Sequence, residues 1–177
     1  GNMDFAVSWA TSPWTQSTIS IFYSDGKGGF TQDDVYTITE PELRYISDLN
    51  SGDYDNDSDI DLMFAYDDKT SDIGTVNLLF NDGNNHFGNA TIIAVLTPTG
   101  DPGRDNPQIC TADFDKDGDL DFLVGDNGGL VEFYKNDGLG NFSRAAIYDF
   151  GGKMSWGLSS ADFNNDGNLD FIVTQLT

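Results

Sequence analysis

Basic residues are scarce in this chain: eight Lys and Arg stand against 30 acidic residues, for a formal net charge of −22. So negative a field argues against nucleic acid and anionic membrane surfaces as partners. Long apolar runs are missing too. The longest candidate, TIIAVL at 91–96, falls far short of the ~20 residues that cross a bilayer as a helix, which excludes membrane insertion by that route. One cysteine, Cys110, allows no internal disulfide, so the fold has to rest on its sheets and on whatever it binds. It is expected to be a buried free thiol, because free Cys packs as a small hydrophobe. One histidine, His86, with no second His and no nearby nucleophile, supports no catalytic triad. No other catalytic constellation is visible, so no enzymatic activity is expected of this segment. Glutamate is almost absent, with only Glu40, Glu42 and Glu132. The acidity is therefore aspartate, a residue of loops and turns.

The aspartates are not spread evenly. ADFDKDGDLDFLVGD, Ala112 to Asp126, puts an acidic residue at every second position from Asp113 to Asp121 and then turns apolar. Five carboxylates in nine residues repel one another unless a cation neutralises them. Counting Asp113 as position 1, Asp115 and Asp117 offer oxygens at positions 3 and 5, and Gly118 allows a sharp turn at position 6. Asp119 at position 7 offers its backbone carbonyl, and Asp121 closes the loop at position 9. Hard oxygen ligands in a flexible loop suit Ca²⁺. An EF-hand begins in the same way but needs a bidentate Glu at position 12 and flanking helices. Position 12 here is Val124, and DFLVG has the composition of a strand.

The motif recurs, which makes this a repeat protein. GDYDNDSDIDLMFAY from Gly52 and ADFNNDGNLDFIVTQ from Ala161 align with it without a gap, and GNMDFAVSW at the start matches its second half. With position 6 as marker (Gly1, Ser58, Gly118, Gly167), the periods are 57, 60 and 49 residues. A second motif interleaves with the first: ISIFYSDGKGGF (19–30), VNLLFNDGNNHF (76–87) and VEFYKNDGLGNF (131–142). Each reads as a strand, a Ser/Asn-Asp-Gly turn and an aromatic that starts the next strand, which is a hairpin signature. A unit therefore runs strand A, acidic loop, strand B, connector, strand C, Asp-Gly turn, strand D. In the middle unit these fall near 43–52, 60–67, 75–81 and 87–96.

Asp-x-Asp-x-Asp-Gly-x-x-Asp followed downstream by Asn-Asp-Gly-x-Gly-x-Phe resembles the FG-GAP/VCBS repeat, the blade of calcium-binding β-propellers such as integrin α-chain heads and some lectins. The resemblance covers nearly the whole chain, with two departures: Phe87-Gly88 is followed by Asn89-Ala90, and Ser58 replaces the loop glycine. It implies an all-β fold, a β-propeller-type array of four-stranded antiparallel blades. The array spans 1–177, with blade 1 at 1–42 (strands B, C and D), blade 2 at 43–96, blade 3 at 97–149 and strands A and B of the next blade at 150–177. About three blades cannot close a ring. Either further blades, from a parent chain or from other copies, complete it, or the array stays open; completion by a parent chain is expected, because an open edge invites aggregation.

The resemblance also implies Ca²⁺ in the A–B loops, about three ions per chain. The expected ligand sets are Asp53, Asp55, Asp57, Asp59 and Asp61; Asp113, Asp115, Asp117, Asp119 and Asp121; and Asp162, Asn164, Asp166, Asn168 and Asp170. The 113–121 loop, with nothing in it to oppose binding, is expected to be the tightest. Asn164 removes a charge from the last loop, and Ser58 puts a non-glycine residue where a positive φ is expected.

Antiparallel pairing puts metal loops and Asp-Gly turns at one end of each blade and the B–C and D–A connections at the other. Trp9, Trp14, Arg104 and Trp156 fall on or beside that second face, where loops on a rigid scaffold commonly carry recognition. The expected partner is a glycan or protein ligand, and the expected setting is secreted or at the cell surface. The alternative is a substrate-binding or structural portion of a polysaccharide-active enzyme or of a large extracellular assembly. Sequons at Asn56, Asn89 and Asn141 matter only in a glycosylating host.

Overall fold

The computed structural model describes residues 2–11, 16–39, 44–68, 73–98, 106–151 and 153–176. These form thirteen strands and no helix. The strands are β1 (Phe5–Ala10), β2 (Gln16–Ser24), β3 (Phe30–Thr39), β4 (Arg44–Gly52), β5 (Asp61–Asp68), β6 (Ile73–Leu79), β7 (Thr91–Val95), β8 (Gln108–Ala112), β9 (Asp121–Gly125), β10 (Leu130–Asn136), β11 (Phe142–Asp149), β12 (Lys153–Ala161) and β13 (Asp170–Leu176). They pair in chain order into four separate antiparallel sheets: β1-β2-β3, β4-β5-β6-β7, β8-β9-β10-β11 and β12-β13. The fold is all-β, an open array of blades and hence a partial propeller.

Alternation in the sequence explains the stacking. Neighbouring residues of a strand point to opposite faces, and in the middle strands of a blade both faces are apolar. All five residues of β9, DFLVG, are buried. Phe122 and Val124 face back into a core with Met63, Ala65, Val76 and Leu78 of the preceding sheet. Leu123 and Val131 face forward and pack with Leu158, Phe171 and Val173 of the next. A third core joins Ile19 and Ile21 of the first sheet to Ile46, Leu62, Phe64 and Leu79 of the second. Each pair of successive sheets thus shares one hydrophobic layer.

The inner strands are tied together by polar groups. Asp48 of β4 accepts the backbone N–H of Ile109 in β8 at 2.8 Å, and the Ser47 hydroxyl donates to the Pro107 carbonyl at 2.7 Å. Cys110 is free but only half-buried, with its thiol against the Ser160 hydroxyl at 3.2 Å. The expectation of a buried thiol is corrected accordingly: β8 is the edge strand of its sheet, and Cys110 is of intermediate exposure.

The middle blade's strands A, B and C lie where the pattern puts them, but β7 begins only at Thr91. Phe87 makes an isolated bridge to Asn81, and the Gly88 N–H turns back to the Phe80 carbonyl at 3.0 Å, so 87–90 is a wide turn and not yet strand.

Phe122 is fully buried, stacks on Tyr134 at a centroid distance of 4.7 Å and touches the Phe142 ring at 5.1 Å. Phe122→Ala is expected to cost about 3–5 kcal/mol, read as a lower urea midpoint. A loss below about 1 kcal/mol would show that the layer between the second and third sheets does not hold the array together.

Candidate metal centre

Each acidic loop is built by its own side chains. The carboxylate at position 1 reaches across to the N–H at position 6: Asp53 to Ser58 at 3.0 Å, Asp113 to Gly118 at 3.1 Å and Asp162 to Gly167 at 2.8 Å. Positions 3 and 5 accept the N–H two residues on. Asp55 accepts from Asp57 and Asp57 from Asp59; Asp115 accepts from Asp117 and Asp117 from Asp119; Asn164 accepts from Asp166 and Asp166 from Asn168. The residue at position 4 takes a left-handed conformation in all three loops (Asn56 φ 60°, Lys116 φ 65°, Asn165 φ 59°). Position 6 does the same, with Gly118 at 100°, Gly167 at 84° and Ser58 at 77°. Ser58 therefore occupies the turn expected of a glycine.

Position 9 has a different job. Asp61 is fully buried, and its two oxygens accept the Tyr54 N–H at 3.1 Å and the Asn81 N–H at 2.9 Å. Asp121, equally buried, accepts from Phe114 at 3.1 Å and Asn136 at 3.0 Å. Asp4 takes the Ser24 N–H at 2.7 Å, and Asp170 takes the Phe163 N–H at 3.1 Å. This carboxylate clasps the loop at position 2 and, in the first three blades, the end of strand C just before the Asp-Gly turn. Burial pushes the Asp61 carboxyl up to about 6, against the two N–H bonds that pull it down, with Asp55 and Asp57 adding to the rise. Asp121 is raised for the same reasons.

Two loops gather carboxylate oxygens closely enough to share a cation. Ligand atoms of Asp53, Asp55 and Asp61 lie within 4.8 Å of one another, as do those of Asp113, Asp115 and Asp117. In both, the second oxygen of position 1, Asp53 Oδ1 or Asp113 Oδ1, is buried with no hydrogen-bond partner. A buried oxygen left unpaired is costly, and a metal ion on it would remove the cost. The all-oxygen donor set fits a hard cation. In the 162–170 loop the matching Asp162 Oδ1 accepts the Asp166 N–H at 3.1 Å, so that loop satisfies itself more fully.

A charge that competes with a cation at the 113–121 loop comes from outside the loop. Lys135 at the end of β10 places its ammonium 2.6 Å from Asp115 Oδ2 and holds that carboxyl below the usual range. The corresponding residue of the preceding blade is Phe80, which carries no charge.

Position-7 side chains turn away from their own loops. The Asp59 and Asp119 carboxylates lie so close over Gly83 and Gly138 that any Cβ there would strike them, at 2.4 and 2.7 Å. Asn168 accepts the Lys116 ammonium at 2.7 Å. Loops and Asp-Gly turns do share one end of the array. The turn residues Ser24, Asn81 and Asn136 matter more than their sequence context suggests. The signal was their recurrence at one position in three repeats.

At the other end, Trp9 is 43% exposed, and its indole N–H donates to the Ser20 hydroxyl at 2.9 Å. Trp14 and Arg104 lie outside the described residues. Trp156 falls in β12, and its side chain is likewise outside what is described.

Antiparallel sheets of up to four strands in series, the last three each opened by an acidic loop between its first two strands, define a repeat segment of the β-propeller class. The FG-GAP-like repeat model matches residues 53–124 and again 113–173, together more than half of the chain. The chain belongs to this repeat family. Among curated proteins no match is found.

The buried position-9 carboxylate gives the metal-free chain a defined pH response. A carboxyl with its folded pKa raised contributes stability below its unfolded value near ~3.9, and this is lost as pH rises through the folded value. In chelator, the Asp61 carboxyl resonance is expected to titrate near about 6, so its share of stability falls between about pH 4 and 6. A midpoint at or below ~4 in the NMR titration would mean that water reaches Asp61.

Proposed function

We propose that this chain is a calcium-binding β-propeller segment of a secreted or cell-surface protein, non-catalytic itself, that serves adhesion or glycan and protein recognition. The observation that carries the calcium reading is the pair of orphaned, buried oxygens on Asp53 and Asp113, each on a carboxylate that belongs to a cluster of three aspartates. Ca²⁺, when bound, supplies the positive charge that lets these carboxylates stay ionised side by side. The chain's residues do the rest: positions 1, 3 and 5 present oxygens already oriented by backbone N–H bonds, and position 9 anchors the loop to strand C. Occupied loops would stiffen the end of the array that holds the Asp-Gly turns. The opposite end, where Trp9 stands exposed, is left to meet a ligand.

Calcium removal tests the reading. A metal count on the purified chain at millimolar Ca²⁺ is expected to give about three ions, with 162–170 the weakest for its missing charge and self-satisfied Asp162. EGTA is expected to lower the melting temperature and added Ca²⁺ to restore it, because the ion binds only the folded loops. Fewer than two ions, or a melting curve indifferent to chelation, would overturn the proposal.

Two substitutions should tune the sites in the same direction for different reasons. Ser58 sits at φ 77°, a left-handed conformation that costs a non-glycine residue roughly 1–2 kcal/mol. Ser58→Gly is therefore expected to tighten the 53–61 loop by up to about tenfold. Lys135→Met removes a half-exposed competing ammonium from Asp115 and is expected to tighten the 113–121 loop about two- to fivefold, the range of a solvent-screened ion pair. Calcium titration of each variant decides; an unchanged 113–121 loop would show that Lys135 swings clear of the ion at no cost.

A further inference from the structure

We propose that the 53–61 and 113–121 loops bind their ions cooperatively, and that Asn136 is the residue that couples them. The inference rests on the calcium reading above. Asn136 is 6% exposed and every polar atom of its side chain is engaged. Its backbone N–H goes to Asp121, position 9 of the 113–121 loop, at 3.0 Å. Its carboxamide nitrogen donates to the Leu120 carbonyl of that loop at 3.1 Å and to the Tyr54 carbonyl of the preceding loop at 2.8 Å. Its side-chain oxygen accepts the Gly138 N–H at 3.2 Å. Tyr54 in turn gives its own N–H to Asp61, position 9 of the 53–61 loop. A continuous run of short hydrogen bonds therefore leads from one position-9 carboxylate to the other through one side chain.

A second link runs parallel to the first. Asn56, position 4 of the 53–61 loop, donates to Asp119 at 2.7 Å and to the Gly138 carbonyl at 3.2 Å. A Cβ on Gly140 would strike the Phe80 ring at 2.6 Å and lie 3.7 Å from Asp55, so the Asp-Gly turn of the third sheet lies directly over the loop of the second. Fixing either loop around an ion fixes Asn136, Asn56 and this turn, and the other loop then has less to order. Linkage makes the effect reciprocal: each ion raises the affinity for the other by one and the same factor.

The test is calcium titration of the full chain at physiological salt, with loop occupancy assigned from the Ser58 and Gly118 amide resonances. Asp113→Ala is expected to weaken binding at 53–61 by about fivefold or more, and Asp53→Ala to weaken binding at 113–121 by the same factor. With Asn136→Ala in the background these cross-effects should shrink by more than half while both intact loops still fill. Asn56→Ala, at an exposed side chain, provides the same comparison if the Asn136 variant does not fold. Cross-effects absent from the start, with both loops filling, would overturn the coupling and leave calcium binding standing. Cross-effects unchanged in the Asn variants would overturn the assigned path. No amide shift at either loop would overturn the calcium reading and the coupling with it.

Discussion

The position-9 carboxylate is the constraint on which the rest of the array depends. Burying an ionised group is costly unless hydrogen bonds satisfy it, and Asp61 and Asp121 are fully buried. Each meets the cost with two backbone N–H groups from different parts of its blade. One N–H comes from inside the acidic loop and the other from the end of strand C. The loop, strand B and strand C are thereby held at one point, which fixes where the Asp-Gly turn emerges. Asp4 makes the same bond to Ser24 in the first blade, so the clasp belongs to the repeat and not to one site.

From that fixed point the blades engage one another in register. Position 4 of one loop, held left-handed, reaches position 7 of the next: Asn56 to Asp119 and Lys116 to Asn168. Position 7 also covers the glycine of its own blade's turn, at Gly83 and Gly138. Hydrophobic layers between sheets are tolerant of sliding, because apolar contact is not directional. The polar contacts at the loop end are directional and occur once per blade, so they set the stagger that the layers fill.

Much of this was legible in the sequence, and what was missed has a common cause. Spacing within a loop is local, so the alternation 53-55-57-61 and its copies identified the loops and the strand that follows each one. The hairpin turns were legible because Asp-Gly chemistry is also local. Interactions between repeats leave no such trace. Lys135 reads as one polar residue at the end of a strand, and only the three-dimensional arrangement puts its ammonium on Asp115. Asn136 reads as a turn residue, although its carboxamide bridges to a loop 82 residues away in sequence. The late start of β7 was invisible because Phe87 has the right residue type for a strand and only its bridge to Asn81 shows the chain still turning.

The near absence of glutamate follows from the same geometry. At positions 1, 3 and 5 each side chain bonds a backbone N–H within a few residues of itself, and Asp53 and Asp113 still leave an oxygen free. Asp and Asn reach the N–H two residues ahead in a tight turn; one more methylene carries the carboxylate past it. Position 9 is equally exacting, since Asp61 has to meet two N–H groups inside a closed core. A repeat built on such contacts therefore accumulates Asp and excludes Glu. Glu132 supports the argument by its location. It lies between sheets and not in a loop, spanning from the Thr97 N–H at 2.8 Å to the Tyr134 hydroxyl and the Arg144 guanidinium, both at 2.9 Å. There the partners stand further apart and the longer side chain is the one that fits.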